Sequence, residues 1–301
     1  MKMTHIHEKM TGIFSGEKII DNNILNLFGL QVFRILLTRF LHNLRATILF
    51  SDLSEEQKIL RKDGIVFIKN FLPNDKFEAL KNEFNNAKNL GGIYSEVKDE
   101  DSLITRHKFS SKIIDANLPI TKDFLSNQHL LDLVYAGEAR KVTPNAAWFD
   151  EISHSENKTG KPKPANAEKL HYDLFYHSIK VFYFMSDVSE KSAPFNFSPG
   201  THHLSLKRLW IEYKKSITYK KLKYSFLQIN DNEKSFLGLE NNNIKAIVPA
   251  NTLVIFDGLA FHRRGDFSVG KKRSQIYLSF RYNPFSLKTQ ITKFTKNKKV
   301  K

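Results

Sequence analysis

Two periodicities divide the chain into a helical part and a β-rich part. From Asn23 to Phe50 polar residues recur at steps of three and four, which is typical of an amphipathic helix. After Val142 short apolar runs are separated by proline, glycine and asparagine, which is typical of short strands. The order of the two patterns predicts a helical N-terminal segment followed by a β domain.

The N-terminal helix, or helix pair, is predicted to have one polar and one apolar face. The polar positions are Gln31, Arg34, Thr38, His42 and Arg45, and the apolar positions are Leu30, Phe33, Leu37, Phe40, Leu41 and Leu44. Arg34 and Arg39 interrupt the apolar stretch, so a transmembrane span is not expected. Apolar faces are ordinarily buried in the same molecule, which predicts packing against the main domain. In the alternative, the helix lies on a membrane surface with its arginines near anionic head groups.

Further helices are predicted before the β-rich part. Ser54 begins one, because the run SEEQ forms a capping box with Gln57 three residues later. Amphipathic patterns also predict helices at Pro73 to Asn86 and at Gln128 to Gly137. Between them, the apolar run from Ile65 to Ile68 predicts a buried strand.

The second half of the chain predicts a jelly-roll barrel. The predicted strands are Val142 to Phe149, Leu170 to Asp173, Ile179 to Val188, Phe195 to Phe197, Ile244 to Val248, Leu253 to Phe256 and Gln275 to Tyr282. A helical stretch rich in Lys and Tyr, from about Leu206 to Gln228, interrupts them and is a candidate cover for the barrel mouth. Many short strands after early helices predict a mostly β fold, a double-stranded β-helix with flanking helices.

These patterns predict three segments. Residues 1–50 form an amphipathic helical extension, and residues 51–290 form the jelly-roll domain. A Lys-rich helical insertion interrupts this domain at about 204–243. Residues 291–301 form a basic tail.

Composition restricts the chemistry. The chain has no cysteine, which excludes disulfides, thiolate metal sites, iron–sulfur clusters and cysteine nucleophiles. Metal ligands must therefore be His, Asp or Glu. The first residues, MKMTHIHEKM, lack the apolar run of a secretory signal, which predicts a cytoplasmic location with membrane-peripheral attachment as the alternative.

The formal net charge of +16 has two readings. It is typical of proteins with a polyanionic partner, such as nucleic acid, an anionic membrane or an acidic substrate. It also fits compositional drift, because the chain is rich in Lys, Asn and Ile together and the Lys surplus is scattered. The scatter favours drift and does not favour a nucleic-acid partner.

The stretch HYD at His171 to Asp173 predicts two ligands of a metal site. Residues two apart on a strand point to the same face, so this imidazole and this carboxylate can reach one ion. A second candidate motif lies downstream, where His262 follows an apolar strand and a turn. Two histidines and one carboxylate are the ligand set of non-haem iron(II) oxygenases.

Arg273 is the candidate for binding an organic acid beside this iron. In an antiparallel barrel, His262 and Arg273 are expected to lie near each other on two neighbouring strands. A buried arginine can hold the far carboxylate of a keto-diacid through a bidentate pair, although Arg264, Lys271 and Lys272 compete for this role. Phe175 is a candidate wall of the cosubstrate pocket, with plain core packing as the alternative.

Three other histidines are expected not to bind the metal. His202 and His203 follow a Pro-Gly turn and are expected to bond backbone or face solvent. His177 is expected to have a packing or pocket role. Trp148 is, like Phe175, a candidate wall of the cosubstrate pocket.

The chain resembles the phytanoyl-CoA dioxygenase family of Fe(II)- and 2-oxoglutarate-dependent oxygenases, from about Leu53 to Asn283. Its His-x-Asp motif matches His171 to Asp173, its distal histidine matches His262, and its 2-oxoglutarate arginine matches Arg273. The run SDVSEKSAPFNFSPGTHH resembles the family's following strand and Pro-Gly-Ser-His stretch, with Thr201 in place of Ser. The first fifty residues and the Lys-rich insertion lie outside the resemblance.

The resemblance implies an Fe(II) ion, 2-oxoglutarate as cosubstrate and O2. It implies hydroxylation of a C–H bond in a small-molecule, lipid-like or lipid-linked substrate, with release of succinate and CO2. Asp173 favours hydroxylation over halogenation, because related halogenases lack this carboxylate. The alternative is a basic binding protein, peripheral to a membrane or bound to nucleic acid, on an inactive oxygenase scaffold; residues 23–50 would supply the membrane contact.

Overall fold

The protein is described from a computed structural model, which covers residues 14, 16–20, 22–90, 92–98, 102–144, 146–154, 169–218 and 227–285. The predicted basic tail lies outside these described residues, and so does the part of the predicted insertion at 219–226. The helices are α1 Asn23–Leu27, α2 Leu30–Leu49, α3 Glu55–Asp63, α4 Asn74–Asn86, α5 Ser111–Asn117, α6 Pro119–Leu125, α7 Gln128–Glu138, α8 Leu206–Ile217 and α9 Asp231–Leu237, with a 3-10 turn at Ala87–Asn89. The strands are β1 Ile65–Ile68, β2 Ile93–Lys98, β3 Ser102–Lys108, β4 Ala146–His154, β5 His171–Tyr172, β6 Ile179–Phe184, β7 Phe195–Phe197, β8 Leu227–Gln228, β9 Ile244–Lys245, β10 Thr252–Asp257, β11 His262–Arg264 and β12 Lys272–Ser279.

The strands form two antiparallel sheets. One has seven strands in the order β1-β10-β6-β12-β4-β3-β2, and the other has five in the order β8-β5-β11-β7-β9. Neighbours within each sheet are mostly distant in sequence, which is the crossover pattern of a jelly roll. The predicted fold class, mostly β with flanking helices, is confirmed.

Strand β10 shows how the core is divided. All six of its residues are buried, and alternate side chains point to opposite faces. Val254 and Phe256 pack between the sheets with Phe195 and Phe197 of β7. Leu253 and Ile255 pack into the larger apolar cluster formed with the helices. Burial on both faces explains why this strand reads as a continuous apolar run.

Most predicted strands are present, with shifted ends. β7 has the predicted bounds, whereas β4 begins at Ala146 because Pro144 lacks the N–H that a ladder requires. Leu227 and Gln228, predicted as helix, instead form β8 beside β5. The β2–β3 hairpin was not predicted, since its strands are rich in the charged residues that suit a sheet edge.

Helix α2 packs with its polar face inward, so the prediction that its apolar face is buried is wrong. Gln31, Arg34 and Thr38 are buried, whereas Phe33 and Phe40 are 54% and 63% exposed. The membrane alternative places the arginines of α2 near anionic head groups. This detail is also wrong, because these arginines face the protein.

Nearby groups satisfy both terminal nitrogens of the buried Arg34 guanidinium of α2. Arg34 donates from Nη1 to Gln31 Oε1 (2.8 Å) and from Nη2 to the carbonyl of Glu17 (3.1 Å). Its guanidinium also lies 4.4 Å from the ring centre of Phe175. These partners compensate the cost of burying a charged group, which explains how the helix can pack in this orientation.

Candidate metal centre

Two short strands bring the predicted ligands together. His171 on β5 lies directly opposite His262 on β11, so the two side chains share one face of the five-stranded sheet. Asp173 follows β5 in a bend, where its N–H donates to the carbonyl of Gly258 (2.8 Å). One candidate ligand atom from each of the three buried side chains lies within 4.8 Å of the other two. The sequence prediction of this cluster therefore matches its geometry.

Backbone hydrogen bonds orient both histidines in the same way. His171 Nδ1 bonds the carbonyl of Lys169 (2.7 Å), and His262 Nδ1 bonds the carbonyl of Ala260 (2.9 Å). A carbonyl can only accept, so Nδ1 carries the proton in both rings and the Nε2 lone pair is available to a metal. His262 Nε2 lies 3.6 Å from Asp173 Oδ2.

The protonation states of the three candidate ligands favour metal binding at neutral pH. Burial, and then the neighbouring His262, lower the pKa of His171 to about 3. Burial also lowers the pKa of His262 to about 4. Burial alone would raise the pKa of Asp173, but Lys180 and the two histidines hold it well below its usual range. Two neutral imidazoles and one carboxylate fit a divalent iron ion.

Gly258 makes room for the Asp173 carboxylate. A Cβ at position 258 would lie 2.6 Å from Asp173 Oδ2, closer than real Cβ atoms approach other atoms. The turn after β10 thus fixes Asp173 through a backbone hydrogen bond and leaves space for its side chain. No other residue type fits this position without displacing the carboxylate.

Two of the three ligands line a cavity of about 380 Å³ with a strongly basic wall. His171 and His262 lie on its wall, and so do the aromatic rings of Trp148 and Tyr277, which stack at 5.1 Å between ring centres. The cationic residues of the lining are Arg106, Lys180, Arg263, Arg264, Arg273 and Arg281. Asp150 is the acidic residue of this lining, and a cavity of this charge suits an anionic molecule.

Arg273 lies in this cavity, but not as expected relative to His262. β11 belongs to the five-stranded sheet and β12 to the seven-stranded sheet, so the prediction of neighbouring strands is wrong. Arg273 Nη1 donates to the carbonyl of Ala193, and within the described chain its Nε has no hydrogen-bond partner. Burial lowers the pKa of Arg273 to about 9, so the guanidinium stays charged at neutral pH. A buried cation with an unused donor fits a carboxylate ligand.

Burial excludes two of the three competitors of Arg273 and leaves Arg264, which is buried as well. Lys271 and Lys272 are exposed, because they lie at the turn before β12 and at its first residue. Arg264 lines the same cavity.

Phe175 does not line the cavity, which corrects its prediction as a cosubstrate contact. It is fully buried beneath α2, in contact with Ile35 and under the guanidinium of Arg34. The alternation of side chains does not continue to Phe175, because β5 ends at Tyr172 and the chain then bends away. Trp148, by contrast, does line the cavity.

The remaining histidines have partners outside the ligand cluster. His202 Nε2 bonds the carbonyl of Arg61, and His203 Nε2 bonds the carbonyl of Lys62, each at 3.0 Å. His177 Nδ1 bonds Asp257, and its ring stacks on His42 at 3.8 Å. These contacts agree with the predicted backbone and packing roles.

Lys180 is the site residue that sequence reasoning missed. Its ammonium forms an ion pair with Asp173 Oδ2, and Arg281 Nη2 lies 3.8 Å from Oδ1. A signal was available, because Lys180 is the charged residue inside the otherwise apolar strand IKVFYF. A buried lysine in such a strand is rarely tolerated without a partner.

The chain is similar in sequence to a known protein family. The sequence matches the family described as phytanoyl-CoA dioxygenase (PhyH) over residues 60–268. No curated protein sequence matches significantly.

Two solved structures illustrate the fold similarity. The epimerase SnoN, crystallised with Fe3+, alpha-ketoglutarate and nogalamycin RO, aligns with a TM-score of 0.51 and 12% identity over 76% of this chain and 85% of SnoN. EctD from S. alaskensis with bound Fe aligns with a TM-score of 0.50 and 10% identity over 76% of each chain. At these identities the similarity demonstrates a shared fold.

Proposed function

The chain belongs to the phytanoyl-CoA dioxygenase family, and from this premise we propose that it is an Fe(II)- and 2-oxoglutarate-dependent dioxygenase that hydroxylates an anionic small molecule. The observation that carries the proposal is the buried cluster of His171, Asp173 and His262, with both Nε2 atoms available. When bound, iron and 2-oxoglutarate supply the oxidising chemistry, in which O2 and 2-oxoglutarate become succinate, CO2 and the hydroxyl of the product.

The residues of the chain have distinct roles in this proposal. His171, Asp173 and His262 hold the metal on one face and leave the opposite positions open. Arg273 binds the far carboxylate of 2-oxoglutarate, supported by its burial and by an Nε that has no hydrogen-bond partner among the residues described. Trp148 and Tyr277 wall the cavity and restrict water beside the reacting groups.

The charge of the cavity supports an anionic substrate. Arg273 accounts for one carboxylate of 2-oxoglutarate, and Arg263 and Arg264 add positive charge in the same cavity, whereas Lys180 and Arg281 face Asp173. A substrate carboxylate or phosphate would offset the repulsion among these groups. A lipid-linked acid meets this requirement as well as a free small acid does.

Hydroxylation is the proposed outcome because Asp173 is present. SnoN is an epimerase with the same fold, so product analysis must identify the reaction. The alternative of an inactive scaffold predicts a lost ligand, and each of the three positions carries a residue that can bind iron.

Anaerobic titration tests the proposal. The wild-type protein should bind Fe(II) and then 2-oxoglutarate, with the visible charge-transfer absorption of the chelate. The His171→Ala/Asp173→Ala variant should lose at least about 100-fold in metal affinity, whereas His203→Ala, a histidine outside the cluster, should not. Absence of binding by the wild type, or unchanged binding by the double variant, contradicts the proposal.

A further inference from the structure

We propose that the outward faces of α1, α2 and α8 form a docking surface for an anionic membrane. This outer helical face is defined by Ile24, Leu27, Phe28, Phe33, Leu36, Phe40, Leu44, Ile48, Leu206, Lys207, Trp210 and Lys214. The proposal goes beyond the dioxygenase activity, because α1 and α2 precede the residues matched by the family.

The outer helical face exposes large apolar side chains along its length. Phe28 is 83% exposed, Ile24 71%, Ile48 67% and Phe40 63%. On α2 the exposed residues Phe33, Leu36, Phe40, Leu44 and Ile48 recur at three- and four-residue steps, so they form one stripe. An apolar stripe of this extent on a folded protein is typical of an interaction surface.

Buried polar contacts hold the apolar stripe outward. Arg39 Nη1 lies 2.6 Å from His177 Nε2, and its Nη2 donates to the carbonyl of His202 (2.5 Å). Together with the Arg34 contacts, these bonds fix the inward face of α2. Turning the helix to bury Phe40 would leave both guanidinium groups without these partners, at a large cost.

α8 continues the surface beside α1. Asn26 Nδ2 donates to the carbonyl of Ser216 (3.1 Å), and Tyr213 OH donates to the carbonyl of Leu27 (3.0 Å). These bonds join α1 to α8, whose exposed residues include Leu206 and Trp210. The two helices therefore present their exposed side chains as parts of one structural unit.

The charges of this surface favour an anionic bilayer as its occupant. The sequence has no acidic residue between Asp21 and Asp52. On α8, Lys207 and Lys214 lie one turn either side of Trp210, and the Lys214 ammonium is 5.1 Å from the indole ring centre. Trp with neighbouring Lys is typical of the membrane–water interface, where the ring sits at head-group level and the ammonium reaches anionic lipid.

A membrane explains the surface better than a second copy of the chain does. Self-association would bring two sets of lysines, on two chains of formal charge +16, towards each other. Anionic lipid satisfies the apolar stripe and the lysines together. Among the described residues no helix is long and apolar enough to cross a bilayer, so the contact is proposed to be interfacial.

Vesicle sedimentation with the full chain tests the proposal. The protein should bind vesicles of phosphatidylcholine with phosphatidylserine at least about tenfold more tightly than phosphatidylcholine alone, and added salt should weaken binding. Brominated lipid should quench Trp210, because the other tryptophan, Trp148, lines the cavity. Equal binding to both vesicle types, or no binding, overturns the proposal.

Two variants separate the apolar and electrostatic contributions. Phe28→Ser/Phe40→Ser should abolish vesicle binding, and Lys207→Gln/Lys214→Gln should remove the preference for anionic lipid. Ile59→Ser/Val269→Ser, which changes exposed apolar residues elsewhere, should bind like the wild type. Circular dichroism spectra and melting temperatures should be unchanged in all three, which shows that they are folded by a measurement that does not depend on the dioxygenase proposal.

Dimerisation is the competing outcome. If the wild type forms a dimer by light scattering, and Phe28→Ser/Phe40→Ser is a monomer while neither binds vesicles, the face is a protein interface and the membrane proposal is wrong. A monomeric wild type that binds anionic vesicles supports it.

Discussion

At the residue scale, the candidate metal centre depends on local contacts that fix each ligand. Each histidine donates from Nδ1 to the carbonyl two residues before it, and Asp173 has its own bond to Gly258. Such outer contacts select the tautomer and the orientation of a ligand before any metal arrives. The site is therefore organised by backbone geometry as much as by ligand identity.

Gly258→Ala should weaken metal binding about 10- to 100-fold, because the added Cβ would lie 2.6 Å from Asp173 Oδ2 and displace the carboxylate. Isothermal titration with Co(II) or anaerobic Fe(II) measures the effect. Gly137→Ala is the matched control, because its Cβ would lie at the same distance, 2.6 Å, from Ile179 Cδ1 rather than from a ligand. The space argument fails if Gly258→Ala binds metal like the wild type.

Arg273→Lys should weaken 2-oxoglutarate binding at least about 30-fold, equivalent to about 2 kcal/mol, while metal affinity changes little. The ammonium cannot reproduce the bidentate geometry of a guanidinium. Titration of the metal-loaded protein with 2-oxoglutarate gives the dissociation constant, and the exposed Lys272→Met serves as control. Equal losses of 2-oxoglutarate affinity in Arg273→Lys and Lys272→Met would contradict a specific role of the Arg273 guanidinium.

At this scale, the sequence predicts ligands better than it predicts the lining of a cavity. His171 and Asp173 are found from spacing, because strand alternation relates residues two apart. Lys180 reaches Asp173 from another strand, so its role depends on tertiary pairing. Phe175 was misassigned because the alternation ends with β5, and a bend of this kind leaves no mark in the periodicity.

At the element scale, α7 is joined to β6 by a buried carboxyl. Glu138, the last residue of α7, accepts a hydrogen bond from the N–H of Ile179 (2.6 Å) at the start of β6. Burial raises the pKa of Glu138 to about 8, with Arg140 opposing the shift. The carboxyl is therefore protonated in the folded protein at neutral pH and ionised in the unfolded chain.

This difference predicts a pH-dependent stability that Glu138→Gln should remove. Because the folded pKa exceeds the unfolded value, the contribution is complete below about pH 4.5 and is lost as pH rises towards 8, by at most about 1.4 kcal/mol per pH unit. Relative to the wild type, Glu138→Gln should gain stability as the pH rises from 5 to 8. Urea denaturation at several pH values gives the free energy of unfolding of both proteins. Parallel pH profiles would contradict this assignment.

Helix α2 should loosen when its inward contacts are removed. Arg39→Met eliminates the contacts with His177 and the His202 carbonyl, so amide hydrogen exchange in α2 should accelerate about tenfold or more. Thr47→Met, an exposed change on the same helix, should leave exchange unchanged. Faster exchange across the whole protein would indicate global destabilisation instead.

The orientation of α2 marks the limit of periodicity as evidence. The pattern correctly predicts a helix with two faces, but it does not say which face the protein buries. That choice depends on Glu17, Phe175 and His177, which come from segments the pattern cannot place beside α2. The strand predictions are correct where both faces of a strand are buried, as in β10, because a continuous apolar run predicts burial on either face.

At the scale of the whole molecule, the two sheets and their covering helices place a basic cavity beside three buried ligands. Helices pack on one sheet, and the second sheet carries His171 and His262. Bound iron and cosubstrate would therefore connect strands of one sheet to Arg273 of the other. Ligand binding should therefore increase the free energy of unfolding of the entire fold.

Loading with metal and 2-oxoglutarate at about 100 times their dissociation constants should raise the melting temperature by about 5–10 °C, because each of the two ligands adds about 2.7 kcal/mol to the stability of the native state. Differential scanning fluorimetry measures the shift, and a chelator should reverse it. His171→Ala should show no shift, and His203→Ala should match the wild type. A shift that survives loss of the ligand would place the metal elsewhere.

The brevity of β5 and β11 has a kinetic consequence. Two residues paired with three make no independent hairpin, and His171 and His262 are far apart along the chain. The ligand cluster cannot assemble until that long-range pairing is complete, so competence to bind metal should emerge only in the last step of refolding. In stopped-flow refolding, the rate at which Co(II) absorbance appears would then measure the rate at which the five-stranded sheet completes its pairing.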